Sequence, residues 1–158
     1  MDDVAIARAL HVLALVIWIG GVAMVTTVVL PAVRHSDLTV DRLGVFRAIE
    51  RRFIWQARTA VIIVGATGFY IVVRAHLWGR FGFVEFWWMH AMVCVWALFA
   101  VGLFVVEPFI VDRHLQRWAS IQPDRSFAWL QRVHWFLLAI SLITILGAVA
   151  GSQGMSFL

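Results

Sequence analysis

Three histidines, His11, His90 and His134, each fall inside a long run of apolar residues, whereas His35, His76 and His114 lie at or beyond the ends of such runs. An ionisable side chain surrounded by hydrocarbon is costly to keep there and by default marks a functional site. The neutral imidazole ring is also a common metal and haem-iron ligand. The spacing of these residues therefore raises a question of chemistry that the surrounding elements must answer.

Those elements are membrane spans. Of the 158 residues, 63% are apolar and 14% charged, against roughly 45–50% and about 25% in an ordinary soluble domain. Four nearly uncharged stretches, 9–33, 53–74 (interrupted by Arg58), 86–107 and 127–151, reach the roughly 20 residues a helix needs to cross the bilayer. The first follows Asp2, Asp3 and Arg8 rather than a basic run and is too long for a secretory signal, so it is expected to remain as the first span. Only helices or closed barrels can face lipid, so the expected fold is all-α, a single up-down-up-down four-helix bundle. Segment 37–52 is polar enough for a short amphipathic helix on the cytoplasmic surface that runs into helix two, with Asp37-Leu38-Thr39 as its cap, and Ser126 is expected to cap the fourth helix.

All thirteen basic residues are arginine, and the sequence pI is near 11.0. They cluster at the helix ends, which excludes the nucleic-acid reading. Four spans place both termini and the 75–85 link on one side, with Arg8, Arg74 and Arg80; the other ten arginines fall on the opposite side or just inside it. The positive-inside rule makes that second side cytoplasmic and puts both termini of this multi-pass protein in the periplasm or exterior. The lone Cys94 excludes an intramolecular disulfide and reads as a small packing residue. Gly20, Gly21, Gly65, Gly68, Gly147 and Gly151 would let helices, or a flat cofactor, approach closely.

Helices one and three run in the same direction, and His11 and His90 each lie near the start of their helix, at one membrane level. In a square bundle these helices are diagonal, about 13 Å apart given neighbours at 8–10 Å. Two imidazoles reaching inward would ligate one iron, with a porphyrin standing between the helices. Trp18 and Gly21 share the face of His11, and Trp87, Cys94, Ala97 and Val101 share that of His90, so Trp18 and Trp87 are candidate walls for the cofactor. Arg8 and Arg74 are placed to pair with propionates. The expectation is a b-type cytochrome with His11 and His90 as axial ligands, taking electrons from a quinol, a porphyrinogen or a partner membrane subunit, or working as a homo-oligomer.

His134 lies near the opposite membrane face, at the level of Arg58, with Ser141 and Thr144 continuing its face. It is a possible second site, or a contact with Arg58 or a neighbouring carbonyl. Copper is the alternative metal, because Met89, His90, Met92 and Cys94 combine soft ligands with an imidazole. Met89 and Met92 occupy one helix face and His90 and Cys94 another, so a copper site needs His11 or another helix. A cofactor-free structural subunit of a larger complex is the third class.

The stretches "ALHVLALVIWIGGVAMVTTVVLPAVRH", "FRAIERRF" and "FWWMHAMV" resemble the HemJ-type membrane protoporphyrinogen oxidases and the broader CopD-like set of small four-helix membrane proteins, over roughly residues 9 to 106. The resemblance implies a four-helix protein of the bacterial inner membrane with haem b held by a histidine of the first helix and one opening the third, matching His11 and His90, and oxidation of protoporphyrinogen IX. CopD-like proteins are linked to copper uptake. Met92 stands where the HemJ pattern has a lysine, and this chain contains no lysine.

Overall fold

The computed structural model describes residues 2–35, 42–115 and 123–154. Among them there is no strand, and four helices are long and apolar enough to cross a membrane. The first span comprises α1 (Asp2–Met24), a π-helical turn (Val25–Val29) and α2 (Leu30–His35). The second is α3 (Arg42–Arg74). Two short 3₁₀ segments, Leu77–Gly82 and Val84–Phe86, lead into α4 (Trp87–Val101), which continues as a π-helical segment (Gly102–Leu115). The fourth span is α5 (Pro123–Ser152).

The chain is thus an all-α membrane bundle, and the polar 42–52 stretch runs without interruption into the second span as the first part of α3. Residues Asp37-Leu38-Thr39 lie outside the described residues. Ser126 does not cap the last helix, because α5 already begins at Pro123 and Ser126 is buried within it. Proline suits the first turn of a helix, where its missing N–H has no intrahelical acceptor to lose. At the other end of α3, His76 stops the helix in a left-handed conformation, φ 52° and ψ 41°, a backbone geometry usually left to glycine or asparagine.

Large apolar side chains point outward all along the spans: Val16 is 65% exposed, Phe136 62% and Leu146 70%. A soluble fold would aggregate with such a surface, whereas in a bilayer these side chains meet lipid. The interior holds less of the apolar sequence than a soluble core would. Its centre is Trp18 of α1, set edge-on against Phe99 of α4 with ring centroids 4.8 Å apart and surrounded by Ala57, Val61 and Leu138. A second cluster towards the arginine-rich end joins Leu30, Phe46 and Phe127.

Aromatic rings seated over glycines hold neighbouring helices together. Phe53 of α3 lies over Gly21, Trp96 of α4 over Gly65, and Trp87 and Trp88 of α4 over Gly147 and Gly151 of α5. Trp96 also donates its indole N–H to the Val61 carbonyl at 2.9 Å, fixing α4 against α3. Of the glycines expected to permit close approach, Gly21, Gly65, Gly68, Gly147 and Gly151 do so, each with a ring rather than a backbone as partner, whereas Gly20 has no such neighbour.

Both π-helical segments are associated with proline. The Leu30 N–H donates to the Val25 carbonyl, five residues back, and Pro31 follows without an N–H. In the second segment Pro108 sits inside the π-helical run. In the five-residue register Pro108 would have been the donor to Leu103, so that carbonyl loses its intrahelical partner.

Candidate functional site

His11 projects from α1 onto α3. Its Nδ1 lies 2.9 Å from Thr67 Oγ1, and its ring rests beside Gly68, where an added Cβ would come within 3.2 Å of Cε1. Thr67 donates its single hydroxyl proton to the Ile63 carbonyl at 2.6 Å, so towards the imidazole it acts as an acceptor. The ring is thereby held with Nδ1 protonated and with its lone pair on Nε2. This is the arrangement in which a histidine ligates a metal while its other nitrogen is anchored by a hydrogen bond.

His90 goes elsewhere. It is exposed, and its ring meets Phe81 of the connecting segment edge-on, centroids 5.3 Å apart. Phe99, which meets Trp18 of α1, follows nine residues later in the sequence; nine steps of about 100° are a half-turn, so His90 lies on the side of α4 away from α1. Cys94 and Val101, on the same face, are exposed too. Of the face of α4 expected to line a cofactor, His90, Cys94 and Val101 turn outward and Trp87 packs on α5, while α4 buries Met89 and Phe99. His11 and His90 are on the spans and at the ends foreseen, but their rings are not brought together within the chain.

The remaining candidates disperse in the same way. Trp18 is in the core, and its Nε1 is a buried donor without an acceptor among the described residues. Gly21 and Trp87 are occupied with Phe53 and Gly147. Arg8 is exposed. Arg74 pairs with Asp3 at 3.0 Å, and Tyr70 donates to the same carboxylate at 2.8 Å, tying α1 to α3 at the end that carries the termini. His134 and Arg58 do not contact one another: His134 Nδ1 donates to the Leu130 carbonyl one turn back on its own helix at 2.9 Å. Ser141 and Thr144 likewise return their hydroxyls to Leu137 and Ile140, so the polar stripe on α5 is satisfied internally.

Arg58, expected near His134, instead forms a polar centre with Leu103 and Glu107, partners that sequence reasoning missed. Nε and Nη2 donate to the Leu103 carbonyl at 3.0 and 2.8 Å, and Nη2 also reaches Glu107 Oε2 at 2.7 Å. The guanidinium lies over Trp55 and Phe104, 5.7 and 5.6 Å from their ring centroids. The signal was present as an arginine inside one span and a Glu-Pro pair near the end of the next.

Tested against haem, these residues offer one ligand nitrogen, His11 Nε2. They do not fit a second axial bond from His90 of the same chain. For copper, the methionines and His90 point away from each other, and no group of three His, Cys, Asp or Glu side chains gathers among the described residues. Comparison of the chain with protein-family models, with curated proteins and with solved structures returned no match.

Proposed function

We propose that this membrane protein binds haem b through His11, in the half of the bilayer nearer the termini, and serves electron transfer within the membrane. The observation that carries the reading is the Thr67 hydrogen bond that leaves His11 Nε2 as the lone-pair nitrogen. Bound haem would supply one-electron chemistry, with the surrounding protein setting its potential. The resemblance to the HemJ-type proteins supports this reading at His11. With His90 on the outer surface, one chain would hold the group through His11 alone. A quinol, a porphyrin or a partner membrane subunit would exchange electrons with it. The arginine distribution supports placing the arginine-rich end in the cytoplasm of a bacterium and the termini in the periplasm.

The test is the visible spectrum of the detergent-purified protein, oxidised and then dithionite-reduced. A high-spin haem spectrum lost in His11→Ala and kept in His90→Ala is the expected result. A low-spin spectrum lost in both variants would restore bis-histidine ligation. A colourless preparation would overturn the haem reading, in favour of copper if it takes up Cu(I) and of a structural subunit if it does not.

A further inference from the structure

We infer that a trough between the first span and α3, at the arginine-rich end, is a binding site for one anionic phospholipid. The trough holds about 440 Å³ and is lined by Met24, Ala48, Ile49, Arg52, Phe53 and Gln56. Phe53 closes its inner wall by seating on Gly21, which makes the depression a fixed feature of the helix contact.

Two of its lining residues carry polar groups that the protein does not satisfy. Arg52 and Gln56 are both exposed, and neither has an ion pair or hydrogen bond among the described residues. They stand four residues apart, one above the other on a single face of α3. Arg74 marks the opposite end of this helix through its pair with Asp3. Arg52 precedes it by 22 residues, and at 1.5 Å per residue lies about 33 Å away, close to the thickness of the hydrocarbon core. Arg52 is therefore at the level of lipid phosphates, and Gln56 is about 6 Å deeper, where unpaired amide groups are costly.

A phospholipid matches this order of groups. Its phosphodiester would accept from the guanidinium of Arg52, a charge-assisted bond. An ester carbonyl lies one step deeper, within reach of the Gln56 amide, and the acyl chain would follow Met24, Ile49 and Phe53. A cation with no protein counter-ion favours a lipid of net negative charge over a zwitterion that carries its own ammonium group.

Native mass spectrometry of the full chain in detergent, titrated with phosphatidylglycerol or with phosphatidylcholine of identical acyl chains, tests the assignment. The wild type should retain phosphatidylglycerol in preference to phosphatidylcholine, and Arg52→Gln should lower phosphatidylglycerol retention about tenfold. Gln56→Leu should weaken both lipids alike, since both carry the ester carbonyl. Arg51→Gln removes the same charge from an exposed residue outside the trough and should leave retention unchanged. Equal retention of the two lipids by the wild type, or equal losses in the Arg51 and Arg52 variants, would overturn the site. The wild-type comparison stands even if a variant fails to fold.

Discussion

The guanidinium of Arg58 occupies the hydrogen-bonding position at the Leu103 carbonyl that Pro108 leaves open. Two of its N–H groups reach that oxygen at 3.0 and 2.8 Å, and Glu107, next to the proline, neutralises the charge at 2.7 Å. An open carbonyl in one span is thus satisfied by a side chain from the preceding span, as backbone polar groups at membrane depth require.

Arg58→Met should therefore destabilise the protein by about 2–3 kcal/mol, because it leaves both the Leu103 carbonyl and the Glu107 carboxylate without a partner. Pro108→Ala supplies an N–H at that position and should reduce the cost of losing Arg58. Melting in detergent of the two single variants and the double variant gives the coupling; strict additivity would mean that the proline does not create the vacancy.

The aromatic contacts predict which glycines tolerate a methyl group. Gly65→Ala would bring Cβ within 2.7 Å of Trp96 and disturb the indole bond to Val61, costing about 1–3 kcal/mol. Gly20→Ala has nothing within 4 Å and should be neutral or slightly stabilising. Equal melting temperatures for the two variants would contradict this packing.

If His11 ligates haem, the hydroxyl of Thr67 tunes that bond. Thr67→Val preserves side-chain shape but removes the acceptor of His11 Nδ1, and should lower haem retention about 10–100-fold. Thr67→Ser should retain it. Haem content per chain and the reduction potential are the measurements, and a Val variant identical to wild type in both would separate Thr67 from the ligand.

His76 holds its left-handed conformation at a cost that glycine does not bear. His76→Gly should raise stability by about 0.5–1 kcal/mol, read as a higher melting temperature. A decrease would show that the imidazole makes a contact worth more than the backbone strain.

The number of spans was legible in the sequence because the apolar runs follow directly from the energetics of the bilayer. The rotation of α4 was not. Around His90 nearly every residue is apolar, so composition does not distinguish the face that meets lipid from the one that meets α1, and Cys94 and Val101 were assigned inward when they lie outward. The depth of His11 was readable, but its contact with Thr67 was not, since that threonine sits alone in an apolar run on another helix. Near the proline residues, Pro123 opens a helix that had been expected to start at a serine cap, and the helix of the third span continues beyond Pro108 as a π-helical segment although the membrane-spanning stretch ends there as expected.

The ring-over-glycine contacts carry a constraint on how this sequence can change. Greasiness is shared by every outward and inward side chain here, so it cannot tell a helix which neighbour to choose; bulk fitted to a gap can. Enlarging Gly147 is workable only if Trp87 shrinks in step, and the same holds for Gly65 with Trp96. Substitutions at these positions should therefore be accepted as matched couples, one growing as the other recedes.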